Sequence, residues 1–220
     1  MSEVVLIAGS ETLLGRKIVE KELARGNRVA APVNSSKESG SGESSRENLL
    51  VVPWNRSSLF SAKTVIQETV RLWGIPDRAY IIDNSNRETA PFTDLSLADL
   101  DDTVDREIKG FLYLTNQLIN TLKKKNSSSL FFIRPHHSKS ESGMDRGMGE
   151  FFRELADGIM RERLERLQTA GFISSTANAE SCAESILEYA SDLPEKARGE
   201  WLKISEKRNL FLPLPLEKRN

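Results

Sequence analysis

Cysteine, net charge and long apolar runs are scarce in this sequence of 220 residues, and each scarcity excludes a class of protein. The only cysteine, Cys182, has no partner for an internal disulfide, which favours a reducing compartment. The net charge of −1 gives no electrostatic reason to expect a nucleic acid or an anionic membrane as partner. No apolar run approaches the roughly 18 residues of a membrane-spanning helix, and the first residues lack the pattern of a signal peptide. We therefore expect a cytoplasmic protein that binds neither nucleic acid nor membrane.

Short apolar runs alternate with amphipathic patterns from one end of the chain to the other. Val4–Gly9 is a continuous apolar run that ends in glycine, which is typical of a strand buried on both faces of a parallel sheet. The next segment has apolar residues at Leu14 and Ile18 and a glycine stop at Gly26, which predicts a helix. The alternation predicts an α/β fold, a Rossmann-like doubly wound parallel sheet in three α/β/α layers, formed by a single domain over 1–220. The predicted strands are 4–9, 28–33, 49–54, 79–83, 129–133, 166–171 and 199–205, and the predicted helices are 13–27, 59–74, 101–125, 148–165 and 179–191.

Two segments depart from this alternation. Residues 34–48 contain no apolar side chain and are rich in serine and glycine, which predicts a flexible loop between the second and third strands. Residues 209–220 contain five apolar side chains between Asn209 and Glu217, but Pro213 and Pro215 exclude a helix or a central strand there. We expect an extended C-terminal tail that covers either its own core or a neighbouring subunit.

The first predicted strand ends in the turn "AGSETLLG", which contains Gly9 and Gly15. Glycine lets the backbone approach a pyrophosphate closely, and the N-terminus of the following helix offers free N–H groups to it. A tight strand-to-helix turn also uses glycine for purely structural reasons. Both glycines are therefore candidates for cofactor binding and, equally, for a structural turn.

Further segments in the same order extend this pattern into a resemblance to the short-chain dehydrogenase/reductase family over nearly the whole chain. The turn "AGSETLLG" resembles the TGxxxGIG turn of that family, and "YIIDNSN" resembles its strand ending in NNAG. "EIKGFLYLTNQLINTLKKK" resembles the NxxG helix, and "SSSLFFI" resembles the strand that ends at the catalytic serine. "FFRELADGI" resembles the second half of the YxxxK helix, and "GEWLKIS" resembles the last strand. The resemblance implies a Rossmann-like fold and, in ordinary members, an NAD(P)-dependent oxidoreductase.

The positions that hold the cofactor in that family are altered here. The resemblance places Leu13 at the middle glycine of the turn, where a side chain crowds the site of the pyrophosphate. It places Asn55 at the aspartate near the adenine, and Asn84 within a "DNSN" stretch that replaces NNAG. We predict no resident cofactor, with Gly9, Gly15 and Asn84 as remnants of a nucleotide site and with weak NAD(P) binding as an open alternative.

The resemblance also implies a catalytic tetrad, and none of its four residues stands at its position. In the family, a lysine four residues after a tyrosine lies on the same helix face and lowers the pKa of that tyrosine. Glu141 and Asp145 fall at the tyrosine and lysine positions, the serine position falls around Pro135, and Glu107 replaces the helix asparagine. No lysine stands four residues after any of the three tyrosines, so YxxxK is absent whatever the alignment. We predict that the chain has no catalytic residue of its own.

His136 and His137 lie where the active site of such a fold would be. A histidine there could act as a base oriented by Glu141 or Asp145, or could bind a metal together with a carboxylate. Adjacent histidines do not easily converge on one centre, so we predict a solvent-facing loop and no metal site. Cys182 lies in a helical pattern and is predicted to be a small core residue rather than a nucleophile.

Two features of the family bear on function. After the sixth strand it has a long lid over the substrate, whereas this sequence continues directly into the next helix. Its subunits pair through two long helices, which correspond to about 101–125 and 148–165 here. The apolar residues of these helices are predicted to pack partly in the core and partly against a partner: Phe111, Leu112, Leu118, Phe151, Phe152 and Leu155.

These observations predict a catalytically inactive subunit with the fold of the family, which pairs with an active paralogue or with itself in a heteromeric dehydrogenase or reductase. The substrate implied by the resemblance is a hydroxyacyl-CoA or a similar acyl thioester. Two alternatives stay open. One is a divergent but active NAD(P)-dependent oxidoreductase, and the other is a nucleotide-binding sensor without turnover.

Overall fold

A seven-stranded sheet forms the centre of the molecule, in the order β3-β2-β1-β4-β5-β6-β7, and every neighbouring pair is parallel. The computed structural model describes residues 2–34, 47–83, 90–136, 142–162 and 164–205. The predicted doubly wound parallel sheet is therefore confirmed. The strands are β1 (Val4–Ala8), β2 (Arg28–Asn34), β3 (Leu49–Trp54), β4 (Arg78–Ile82), β5 (Ser128–Arg134), β6 (Leu167–Ser174) and β7 (Trp201–Ile204).

The described residues form six α-helices, five of which cover the two faces of the sheet. They are α1 (Leu13–Ala24), α2 (Leu59–Trp73), α3 (Leu97–Thr103), α4 (Gly110–Leu122), α5 (Gly143–Arg161) and α6 (Ala179–Ser191). One core layer lies between the sheet and α2, α4 and α5, and a second lies between the sheet and α1 and α6. None of the helices in the described ranges could span a bilayer, because none combines the necessary length with enough apolar character.

The continuous apolar strands are explained by these two layers. Successive side chains of a strand point to opposite faces, so a strand covered on both sides must be apolar at every position. In β1, Leu6 packs in the layer with α2, α4 and α5, while Val5 and Ile7 pack in the layer with α1 and α6. All three side chains are fully buried.

The two long helices differ from their predicted bounds. The helix predicted over 101–125 is a helical rod that begins at Leu97, because Ser96 and Asp99 form a capping box at its start. Between α3 and α4, the segment Val104–Lys109 widens into a π-helix. The helix predicted over 148–165 begins five residues earlier, at Gly143, because the side chain of Ser142 accepts a hydrogen bond from the backbone N–H of Asp145.

Some predicted features fall outside the described residues. Asn34, predicted as the first loop residue, is the last residue of β2, paired with Trp54 of β3. The structure does not describe the remainder of the predicted loop up to Arg46, the tail 209–220, Asn84, His137 or Glu141.

Candidate functional site

A small cavity lies at the carboxyl ends of β1 and β4. These neighbouring strands lead to helices on opposite faces of the sheet, and such a switch point is where open α/β sheets bind ligands. The volume of the cavity is about 30 Å³, which is comparable to the space of one water molecule. We call this site the switch-point crevice. The described residues that line it are Ala8, Gly9, Trp54, Arg56, Ile81, Ile82, Asp83, Arg106, Glu107, Phe111, Leu114, Met148 and Phe152.

Both predicted glycines have a structural role in the turn after β1. Gly9 has a φ of 89°, and a Cβ atom at this position would come within 2.8 Å of the Cβ of Ile82 in β4. A Cβ atom at Gly15 would come within 2.1 Å of the carbonyl oxygen of Gly9. The turn therefore requires both glycines for its own geometry. Gly9 also lines the crevice, which is the position predicted for a cofactor-binding glycine.

The N-terminus of α1 is capped by the chain itself. The hydroxyl of Thr12 accepts a hydrogen bond from the backbone N–H of Gly15 at 2.9 Å and donates one to the carbonyl oxygen of Gly9 at 2.8 Å. Leu13 is the first residue of α1 and is 57% exposed. An exposed apolar side chain thus stands at the helix terminus where a phosphate would meet free N–H groups.

Arg56, just after β3, reaches into the switch-point crevice with a side chain that is only 7% exposed. Its Nη2 atom lies 2.6 Å from Oε1 of Glu11 in the turn after β1, and its Nη1 atom lies 4.0 Å from Oε1 of Glu107. Its guanidinium carbon is 4.9 Å from the ring centroid of Trp54, a cation–π contact. One arginine therefore links the end of β3, the turn after β1 and the π-helical segment.

Glu107 belongs to the π-helix Val104–Lys109 and lines the crevice beside Asp83 and Arg106. Burial raises the pKa of the Glu107 carboxyl, and the nearby Asp83 carboxylate raises it further, against the opposing effects of Arg56 and Arg106. The sequence placed Glu107 where the family has an asparagine. The structure adds that the backbone is π-helical there, which is a feature often found at functional sites.

Of the other residues at predicted catalytic positions, the structure describes Pro135 and Asp145, and neither lines the crevice. Pro135 follows β5 and is half-buried. Asp145 is buried in the first turn of α5, whereas Met148, about one turn further on, reaches the crevice. Glu141 and Asn84 lie outside the described residues, so their predicted roles stay predictions.

None of the three tyrosines takes the place of the missing acid. Tyr80 is fully buried in β4, where it accepts a hydrogen bond from Arg78 and donates one to Glu22, both at 3.2 Å. The pKa of the Tyr80 hydroxyl is strongly raised, and burial is the main cause. Tyr113 packs on the α4 side of the core, and Tyr189 belongs to α6 on the opposite face of the sheet.

The structure also describes His136 and Cys182, the remaining candidates for chemistry. His136 is exposed after β5, and within the described ranges no three side chains of His, Cys, Asp or Glu gather as a metal site would require. Cys182 is buried in the core, as predicted, and burial raises the pKa of its thiol, which disfavours the reactive thiolate. Only residues 175–178 connect β6 to α6, so this connection is as short as the sequence predicted.

Solved structures that share this fold include short-chain dehydrogenases/reductases. A short-chain dehydrogenase/reductase from Brucella melitensis, described as a glucose/ribitol dehydrogenase, is 16% identical with a TM-score of 0.75, covering 92% of this chain and 94% of its own. The 3-ketoacyl-(acyl-carrier-protein) reductase of Brucella melitensis, complexed with NADH, is 12% identical with a TM-score of 0.76, covering 94% and 98%. A short-chain dehydrogenase from Leptospira borgpetersenii with bound NAD+ is 14% identical with a TM-score of 0.75, covering 93% and 92%.

The chain therefore has the fold of the short-chain dehydrogenases/reductases, as the sequence patterns predicted. No protein-family model and no curated protein matches it. Identities of 12–16% establish the fold and leave activity and cofactor to be argued from the site.

The crevice, in the arrangement that the structure shows, does not fit an NAD(P) cofactor. Its volume of about 30 Å³ is far below the roughly 300–1,000 Å³ of ordinary ligand pockets. Arg56 lines it, and the two guanidiniums of Arg56 and Arg106 lie near three carboxylates, those of Glu11, Asp83 and Glu107. Two positive charges against three negative ones do not favour the entry of an anionic pyrophosphate.

Sequence reasoning missed the most prominent residues of this site, Trp54, Arg56 and Glu11. It considered only Asn55 at the end of β3, because that position matches the family aspartate. The signal that could have found them is positional. All three lie at or just after the carboxyl ends of β1 and β3, on the edge where a parallel sheet places its ligands. An arginine two residues after a tryptophan can also pair a cation with an aromatic ring.

Proposed function

We propose that this chain is a non-catalytic subunit that pairs with a catalytically competent short-chain dehydrogenase/reductase in a heteromeric, NAD(P)-dependent oxidoreductase. The single observation that carries the proposal is the absence of an acid/base pair. No tyrosine in the sequence is followed by a lysine four residues later, and each of the three tyrosines lies away from the crevice. Within the described residues, no tyrosine is therefore positioned at the crevice to exchange a proton with a substrate alcohol or ketone.

Pairing is supported by the outer surfaces of α4 and α5. Phe111, buried beneath them, contacts the rings of Phe151 and Phe152 at centroid distances of 6.4 and 4.7 Å and so joins the two helices. Leu112 is 39% exposed, and Phe151 is only partly buried. Such half-covered apolar side chains gain further burial when a second subunit covers them. Of the six residues predicted to divide between core and partner, Phe111, Leu118 and Phe152 are buried and the other three are not.

The proposed substrate of the assembly is an acyl thioester, on the grounds that the resemblance implies it and that one structural neighbour is a 3-ketoacyl-(acyl-carrier-protein) reductase. The partner chain would supply the cofactor and the chemistry. We also propose a cytoplasmic location, because the lone cysteine suits a reducing compartment.

The experiment is affinity capture of the tagged chain from its native cell, with mass spectrometry of the captured chains and an assay of NADH and NADPH oxidation with an acetoacetyl thioester. We expect one captured chain to carry YxxxK and the complex to be active, while the tagged chain alone is inactive. Leu112→Asp should abolish both capture and activity. The matched control is Leu72→Asp on α2, because Leu72 is 46% exposed and lies outside the proposed surface.

Two results would refute the proposal. One is oxidoreductase turnover by the purified chain alone, which would restore the divergent-enzyme alternative. The other is an equal loss of capture in the two aspartate variants, because pairing would then not depend on the surface of α4 and α5.

A further inference from the structure

We propose that Arg56 closes the adenine half of the nucleotide crevice and is therefore the residue that determines whether this fold binds a dinucleotide here. The proposal concerns the crevice of the proposed function but does not depend on the pairing of subunits. It assigns a specificity-determining role to an arginine that matches no position of the family pattern.

The position of Arg56 identifies the half of the dinucleotide that it opposes. In doubly wound folds the pyrophosphate lies at the N-terminus of the first helix, and a residue after β2 contacts the adenosine ribose. The adenosine therefore lies on the β2–β3 side of β1. Arg56 follows β3 on that side, and its side chain lines the crevice together with Gly9 and Asp83, at the ends of β1 and β4.

The guanidinium occupies an aromatic face that a base would use. Its carbon lies 4.9 Å from the ring centroid of Trp54, and Trp54 is 4% exposed. Flat groups such as guanidinium and nucleobases stack on the same indole surface. Removal of the guanidinium would thus leave both a space and a stacking platform for a planar ring.

Three contacts hold Arg56 in this position. Glu11 pairs with one guanidinium nitrogen at 2.6 Å, and Glu107 lies 4.0 Å from the other. The stem of the side chain runs against α4, because a Cβ atom at Gly110 would come within 2.7 Å of the Cβ of Arg56. A ligand cannot move the side chain aside without separating a partly buried ion pair, which is unfavourable because it leaves the Glu11 carboxylate without its counter-charge.

The experiment is calorimetric titration of the full-length chain with AMP, NADH and NADPH, before and after Arg56→Ala. We expect no saturable binding by the unaltered chain at millimolar ligand, and binding of AMP and NADH by Arg56→Ala that is at least about tenfold tighter. Arg56→Met is the second variant, since its unbranched stem can still pack against Gly110 while the guanidinium is gone. Circular dichroism and thermal unfolding show which variants are folded.

Tryptophan fluorescence locates the binding. AMP should quench the emission of Arg56→Ala, and adding Trp54→Phe to that variant should remove the quenching. The matched control is Arg134→Ala, because Arg134 ends β5 at the same sheet edge, is paired with Glu150 at 2.9 Å and does not line the crevice. It should bind nucleotide no better than the unaltered chain.

Three results would overturn the proposal. The first is that neither folded Arg56 variant binds AMP or NADH more tightly than the unaltered chain. The second is an equal gain in Arg134→Ala, and the third is micromolar binding by the unaltered chain. Capture of an active partner is measured separately, so each of these results can occur whether or not the pairing in the proposed function holds.

Discussion

At the scale of single residues, contact geometry decides which side chains the region around β1 can accept. Gly9 and Gly15 lie so close to their neighbours that a Cβ atom on either would overlap other atoms. Arg56 and Glu107 are charged groups in a largely buried crevice, and each is accommodated only because opposite charges lie nearby. A single substitution here should therefore change the free energy of unfolding in a direction that the contacts predict.

Gly15→Ala should destabilise the fold by about 3 kcal/mol or more, because its Cβ would lie 2.1 Å from the carbonyl oxygen of Gly9. Gly147→Ala is the matched control, because Gly147 lies within α5 with no atom near its virtual Cβ. That change should stabilise the chain by roughly 1 kcal/mol through helix propensity. Urea unfolding measures both, and similar effects of the two substitutions would contradict the contact seen at Gly15.

The free energy of unfolding of Glu107→Gln, relative to that of the unaltered chain, should increase as pH rises from about 4 to 7. The folded-state pKa of Glu107 is raised, so the folded protein binds this proton more tightly than the unfolded chain does. The stabilising effect of the protonated carboxyl is complete below the ordinary pKa and is lost as pH rises through the raised one. Glutamine, which stays neutral, avoids that loss.

The measurement is the free energy of unfolding of both proteins in urea at pH 4 and pH 7. Glu154→Gln, at an exposed position of α5, is the control. A relative stability of Glu107→Gln that falls as pH rises would mean that the ion pairs with Arg56 and Arg106 outweigh burial.

At the scale of elements, helix starts are set by side-chain caps, and most of these caps are visible in the sequence. The side chains of Thr12, Ser58, Ser96, Ser142 and Asn178 each accept a backbone hydrogen bond at the start of a helix. The start of α5 was predicted too late because its first turns contain Gly143 and Gly147, which resemble a loop. The π-helix between α3 and α4 was also not predicted, because the apolar spacing of the segment agrees with an ordinary helix.

Thr12→Ala should lower the free energy of unfolding by about 1–2 kcal/mol, because it removes the cap of α1 and a hydrogen bond to Gly9 within the turn. Thr64→Ala is the matched control, since the hydroxyl of Thr64 is exposed and bonds only to Phe60 of its own helix. Its effect should stay within about 0.5 kcal/mol. Urea unfolding measures both variants. An equal loss in the free energy of unfolding would show that the cap contributes no more to stability than the exposed hydroxyl of Thr64.

At the scale of the whole molecule, the sheet is complete, and its carboxyl edge carries a linked set of charges around Arg56. The neighbours share the fold over more than nine-tenths of this chain. Under the proposed function, the chain acts through the outer surfaces of α4 and α5.

The isolated chain should form a dimer at micromolar concentration through α4 and α5, and Leu112→Asp should convert it to a monomer. Charge placed on a covered apolar surface opposes association because the carboxylate must be desolvated. Light scattering coupled to size exclusion measures the mass, with Leu72→Asp as the control that should keep the dimer. A monomeric unaltered chain would mean that self-pairing is absent and that only a different partner covers this surface.

The sequence by itself determined the layered fold and the absence of the YxxxK pattern. Apolar runs such as β1 must be buried on both faces, and only a parallel sheet between helix layers allows this. The absence of YxxxK is a fact of residue order and needs no structure. Such features depend on local spacing, which a linear pattern contains in full.

Only the tertiary structure decided what stands in the crevice. Glu11, Arg56 and Glu107 come from three separate parts of the chain and meet because the parallel strands and α4 bring their ends to one edge. A charge in a sequence has no known partner, and its burial depends on packing between distant segments. For that physical reason the ion pairs and the raised pKa of Glu107 follow from the fold and could not be predicted from the order of residues.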